Sequence, residues 1–258
     1  MPRLARDKLL SLYYLDSGRG DPPVLLIHGW CCDHTYMAPQ YRHLRRRHRA
    51  VAVDLRGHGR SAKHSRDFSM AAFAEDLRRL CGRLGLKRPV AIGHSMGGLI
   101  ALEMAAQQPG LLAGAVLLDS PVLYPQGIQD RNRRFAQELR GGGARLAQQE
   151  YVRRLLFLPT DDPERRERIV NDMSGARPEV RSMAFDSLLA WDNLAAVGDL
   201  PVLLISAAHL LTDVRPLHEV LPNVTTAQVA GAGHFLQLEV PVQVNAMIDR
   251  FLETSMKP

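Results

Sequence analysis

The chain has 258 residues, of which 46% are hydrophobic and 23% charged, so it can bury one large core and is too apolar to remain disordered. No run of about 18 apolar residues occurs, and the N-terminus lacks an apolar stretch followed by a small-residue cleavage site. Neither a spanning helix nor a secretory leader is expected, and the protein is read as cytoplasmic. The net charge of +6 comes from arginine-rich runs at 45–49, 131–134 and 164–168, which read as solvated helix faces rather than a nucleic-acid surface.

Short apolar runs recur along the chain at residues 9–15, 24–27, 50–54, 89–93, 115–119, 201–206 and 224–229. The inner runs are almost continuously apolar, as strands buried on both faces are. Between them lie helical patterns: Phe73, Leu77, Leu80 and Leu84 fall at helical spacing, and Gly85 suits the stop. The alternation predicts a parallel α/β sheet with helices on both sides.

That rhythm breaks after Asp119 and returns only at Pro201. Residues 120–199 are therefore expected to form a helical lid inserted into a core of residues 1–119 and 200–258. Three helices are predicted in it, at 129–140, 161–173 and 178–194. Asp162 is placed as an N-cap ahead of Pro163. Apolar lid residues, including Phe135, Phe157, Phe185 and Trp191, favour a small hydrophobic or aromatic ligand.

The most informative stretch is Gly93-His94-Ser95-Met96-Gly97, where a buried strand meets a helix-like segment. Glycines two before and two after the serine allow a tight strand-to-helix turn that exposes the seryl oxygen. The helix N-terminus behind Ser95 favours developing negative charge. His234 lies in a Gly-rich loop after the last strand and follows the serine and the candidate acids in chain order, which suits a general base. His28 and His58 are expected to brace turns, and His94 to flank the nucleophile while pointing elsewhere. His43, His48, His64, His209 and His218 read as surface or loop residues.

The three cysteines, Cys31, Cys32 and Cys81, are odd in number, and adjacent Cys31 and Cys32 pair poorly with each other. Reduced thiols are expected. No set of His, Cys and carboxylates has metal-ligand spacing, so no metal is assigned.

These features resemble the α/β-hydrolase superfamily over nearly the whole chain. "LLIHGW" at 25–30 is similar to its oxyanion loop, "DLRGHGRS" at 54–61 to the turn after the next strand, and "GAGHFLQLEVP" at 231–241 to its histidine loop. The pairing of "HGW" with "GHSMGG" looks most like small bacterial aryl esterases and perhydrolases. The resemblance implies the α/β-hydrolase fold, a mostly parallel eight-stranded type of sheet flanked by helices, with the lid after the strand ending at Asp119. It further implies a Ser95 nucleophile, a His234 base, an oxyanion hole of the Trp30 and Met96 N–H groups, and no cofactor. The expected activity is that of a carboxylesterase-like serine hydrolase acting on a small-molecule ester or lactone, with no membrane partner.

The acid is where the pattern departs. The family's usual position, past the strand that follows the lid, falls here on Leu210, which can neither orient nor stabilise an imidazolium. Asp119 is the preferred substitute, because its strand tip shares an edge with Ser95. Asp213 is the other candidate, although capping a following helix would account for it. Two other functions fit the same fold. "HGWCCDH" at 28–34 is similar to a stretch of cofactor-free quinolone ring-cleaving dioxygenases, with Cys32 replacing a substrate-binding histidine. The absent carboxylate at Leu210 would also suit a non-catalytic ligand-binding homologue.

Overall fold

The computed structural model describes residues 3–7, 12–63, 65–209 and 211–255. Eight strands form one sheet: β1 (Arg3–Asp7), β2 (Leu12–Asp16), β3 (Val24–Ile27), β4 (Ala50–Asp54), β5 (Val90–His94), β6 (Gly114–Leu118), β7 (Val202–Ser206) and β8 (Val224–Gln228). Their order is β1-β2-β4-β3-β5-β6-β7-β8. The pairs β1/β2 and β2/β4 are antiparallel and the remaining pairs parallel. The first strand is one the apolar pattern did not predict, and the expected strand at 9–15 is resolved as β2, starting at Leu12.

The apolar runs are continuous because each strand faces two cores. Along β3, Leu25 and Ile27 enter one core while Val24 and Leu26 enter the other, following the two-residue alternation of a strand. The first core is closed by α2 (Met70–Leu84) and α3 (Met96–Gln107), the second by α1 (Ala38–Leu44) and α10 (Pro241–Ser255). Ser69 caps α2 through Ala72 N–H, and Gly85 ends it at φ +63°, where a side chain would be strained. Buried positions such as Leu99, Ile100 and Leu102 on α3 contribute roughly 1.5–3 kcal/mol each.

Between β6 and β7 lie α4 (Gln126–Glu138), α5 (Ala144–Leu155), α6 (Pro163–Ser174) and α7 (Pro178–Ala190), followed by a 3-10 turn at Asn193–Val197. Asp162 caps α6 by accepting from Arg165 N–H at 2.7 Å, with Pro163 in the first turn, as the sequence predicts. The sequence pattern missed α5. Two short helices, α8 (Leu217–Val220) and α9 (Leu236–Glu239), flank β8. Among the described residues, no helix is long and apolar enough to cross a membrane.

The return from α7 into β7 is tied down by one buried acid. Glu103 on α3 accepts from Trp191 Nε1 at 2.9 Å, Asn193 Nδ2 at 2.8 Å and Gln107 Nε2 at 2.8 Å. Removing the carboxylate leaves these donors without their acceptor. Glu103→Ala is expected to lower stability by about 2–4 kcal/mol, measured as a shift in the urea midpoint; an unshifted midpoint would show that this anchor carries no weight.

Candidate active site

Parallel pairing in register brings the C-terminal tips of β3, β5, β6, β7 and β8 to one edge, where open α/β sheets carry their ligands. His94, the last residue of β5, lies opposite Leu118 of β6, and Leu118 lies opposite Ile205 of β7. Ser95 N–H continues the ladder to Leu118 O at 2.9 Å, and Asp119 N–H to Ile205 O at 2.8 Å. The next residues after β5 and β6, Ser95 and Asp119, therefore emerge side by side.

Ser95 sits at φ +52° and ψ −119°, a conformation that L-residues avoid and that turns the chain sharply from β5 into α3. Glycine is required around it. A Cβ on Gly93 would collide with the backbone of Gly97, and one on Gly97 with the carbonyls of Ile27 and His28. Among the described residues Ser95 Oγ makes no hydrogen bond, and it faces the same cleft as His234.

The sequence favours Asp119 as the acid, with Asp213 as the alternative. His234 Nδ1 lies 2.7 Å from Asp119 Oδ2, with both groups buried. The other carboxylate oxygen, Oδ1, accepts Ala207 N–H at 2.9 Å, so the carboxylate is fixed at both ends. Asp119 itself holds φ +47°, a left-handed conformation that Asp and Asn tolerate better than most residues. Asp213 does not meet His234. It binds the Arg215 guanidinium at 3.0 Å and Arg215 N–H at 3.2 Å, and it is not the N-cap of α8, a place taken by Pro216. Leu210, at the family's usual acid position, lies outside the described residues, and its neighbour Leu211 lines the cleft.

The Trp30 and Met96 N–H groups are the two donors anticipated for an oxyanion. Met96 opens α3, where an N–H has no intrahelical acceptor, and neither group donates to the backbone of another described residue. Trp30 is held by residues of the segment between β6 and β7: its Nε1 donates to Arg181 O at 2.9 Å, and its ring packs against Phe135 and Phe185. Arg181 is buried in turn, with Nε on Gln148 Oε1 at 2.6 Å and Nη2 on the carbonyls of Ser174 and Ala176 at 3.0 Å.

The histidine loop is gripped from the same segment. His234 N–H donates to Leu156 O at 2.9 Å, and Gly233 N–H to Asp161 Oδ1 at 3.1 Å, while Asp161 Oδ2 accepts Leu158 N–H at 2.7 Å. Sequence reasoning missed Leu156, Asp161 and Arg181; the acidic pair Asp161-Asp162 was visible, but only its second member was given a role.

The three inner histidines divide differently from expectation. His28 Nε2 accepts Leu55 N–H at 3.0 Å and His58 Nδ1 meets Arg56 O at 2.9 Å, so both brace turns as predicted. His94 does not point away. It lines the cleft, its Nε2 meets His234 O at 2.9 Å, and its ring lies 4.7 Å from that of His234. Asp33, His34 and Asp54 could gather around an ion, yet Asp54 Oδ1 already takes His34 N–H and Nδ1 at 2.7 Å and Oδ2 takes Arg60 N–H. Those bonds satisfy the carboxylate as a brace for the turns after β3 and β4. The cysteines are free and buried, and burial pushes the Cys31 thiol up to about 12.

The cleft lies between the sheet edge and the helices α4 to α7. Ser95, His94 and His234 form its floor, and Trp30, Leu156, Met173, Phe185, Leu188 and Phe235 give it mostly apolar walls. A serine on a strained elbow, a histidine held by a carboxylate, and two backbone N–H groups without a backbone acceptor among the described residues thus meet at one cleft.

The chain belongs to the α/β-hydrolase family, whose sequence profile matches residues 22–241. A thermophilic esterase from Thermogutta terrifontis, solved with malate bound, superposes with a TM-score of 0.83 at 27% identity, covering 95% of this chain and 94% of that one. A soluble epoxide hydrolase of Corynebacterium sp. (strain C12) is 28% identical over 256 residues, 89% of each chain. An uncharacterized protein of Mycobacterium tuberculosis is 37% identical over 99 residues, so the match spans 38% of this chain and only 29% of that relative.

Burial sets the pH response of this region. Desolvation lowers His28 below its ordinary value of 6.5, takes His58 down to about 3, and holds His94 well below 6.5. Below pH 6.5 the unfolded chain therefore binds protons that the folded chain refuses, so stability is lost as pH falls. The three together give up to roughly 4 kcal/mol per pH unit. The urea midpoint is expected to drop between about pH 6.5 and pH 5, before the carboxylates titrate; a flat midpoint across that window would contradict the buried neutral histidines.

Proposed function

We propose that this α/β hydrolase cleaves a small carboxylic ester or lactone through an acyl-enzyme. The observation that carries the reading is the 2.7 Å contact between His234 Nδ1 and Asp119 Oδ2 at the floor of the cleft that Ser95 faces. With Nδ1 engaged by the carboxylate, Nε2 is the nitrogen left to take the seryl proton as Oγ attacks the carbonyl carbon. The oxyanion then accepts from the Trp30 and Met96 N–H groups, each worth about 2.7–4 kcal/mol in a comparable protease site. His234 returns the proton to the departing alkoxide, and water repeats the sequence on the acyl-serine to release the acid and free Ser95.

The mostly apolar walls support a small hydrophobic or aromatic substrate. Residues 120–199 act as a lid in this reading, one that also positions Trp30 and His234. Epoxide opening, which the name of one relative would suggest, is disfavoured by the chemistry of serine: attack of Ser95 on an epoxide carbon would leave an ether with no carbonyl for water to attack.

A panel of p-nitrophenyl esters on wild type, Ser95→Ala and Asp119→Asn tests the reading. Ser95→Ala is expected to abolish burst and turnover, and Asp119→Asn to lower kcat on the order of 10⁴-fold by favouring the wrong histidine tautomer. Near-normal turnover in Asp119→Asn, or ester cleavage by Ser95→Ala, would overturn it.

A further inference from the structure

The arginine run at 131–134 is not uniformly a solvated face. Arg133 pairs with Asp130 at 3.6 Å and Arg134 is exposed, but Arg131 lines the catalytic cleft together with Ser95 and His234. Its Nε is buried and has no hydrogen-bond partner, and among the described residues Arg131 forms no ion pair. Glu150, beside it in the adjoining groove, is taken by Arg154 at 3.3 Å. Among the described residues lining the cleft there is no Asp or Glu and no second Lys or Arg.

On the cleft side the polar groups beside Arg131 are neutral, whereas Glu138 and Glu150 stand in the adjoining groove on its other side. Tyr151 OH donates to Asn132 Oδ1 at 2.9 Å, and Tyr124 shares the same wall of the cleft. Burial pushes the Tyr151 phenol up to about 12, against the charge of Arg131 and a hydrogen bond between that guanidinium and the phenol, so Nε is the guanidinium nitrogen left without an acceptor. Native proteins rarely leave a partly buried guanidinium nitrogen without an acceptor, because losing water there is costly. Guanidinium groups match planar carboxylates, with two parallel N–H donors facing two oxygens.

We infer that the cleft is built for an ester or lactone that carries a free carboxylate, with Arg131 as the group that binds it. The apolar walls hold the chain between the two ends, and Arg131 sets the end away from Ser95. The inference rests on the hydrolase reading for the bond that is cut, but not for the binding of the carboxylate.

Two measurements test it together. The first compares the mono-p-nitrophenyl ester of glutaric acid with p-nitrophenyl pentanoate, a neutral chain of equal length, on wild type, Arg131→Gln and Arg131→Lys. Wild type is expected to favour the charged ester in kcat/KM by about tenfold or more, mostly through KM. The ratio should collapse in Arg131→Gln and survive in part in Arg131→Lys. The second is calorimetric titration of glutarate into wild type, Ser95→Ala and Arg131→Lys, with thermal unfolding to check each variant. Glutarate should bind wild type and Ser95→Ala alike and bind Arg131→Lys more weakly. No preference in wild type, a preference that persists in Arg131→Gln, or no glutarate binding would overturn the inference. If neither ester is cleaved, the hydrolase reading fails and glutarate binding alone decides this one.

Discussion

The Asp119 carboxylate joins three parts of the chain that lie far apart in sequence. Its Oδ2 faces His234, its Oδ1 takes the N–H of Ala207 just past β7, and its own N–H continues the β6/β7 ladder to Ile205. None of this would hold if β5, β6 and β7 slipped in register, since the tips of these strands set where Ser95, Asp119 and Ala207 leave the sheet. Register in turn depends on side chains that alternate between two cores, so that a shift of one residue would exchange the faces of a whole strand. The geometry of the candidate site is thus a consequence of sheet packing.

The segment between β6 and β7 is as much a part of that geometry as the sheet. Leu156 O and Asp161 hold the backbone of the histidine loop, Arg181 O holds the Trp30 indole, and Glu103 fastens the segment's exit to α3. The loops bearing His234 and Trp30 are therefore both bonded to α4–α7 and their connections. Movement of those helices away from the sheet would have to break these bonds or carry the loops along.

The sheet's inner strands were legible because burial on both faces demands uninterrupted apolar runs, and Ser95 and His234 were legible because their turns require glycine at fixed offsets. What escaped the sequence escaped for physical reasons. β1 is a short edge strand with Arg3, Arg6 and Asp7 among its five residues, a charge content that suits an edge and erases the apolar signal. α5 turns Ala144, Gln148 and Val152 inward while Leu146 is 72% exposed, so its buried face is partly polar and its pattern runs against the expected one. Gln148 is inward because it receives Arg181, a partner on another helix that no local pattern reveals. Asp119 is favoured over Asp213 because its strand tip shares an edge with Ser95, but the 2.7 Å contact with His234 that separates the two is a long-range pairing no local pattern reveals.

In the proposed site Asp119, and no other carboxylate, holds the Nδ1 proton of His234. Proton NMR of protein labelled with ¹⁵N at histidine reads that proton directly. A far-downfield resonance correlated to His234 Nδ1 is expected, one that disappears in Asp119→Asn and persists in Asp213→Asn. A resonance that survives in Asp119→Asn, or one lost in Asp213→Asn, would contradict it.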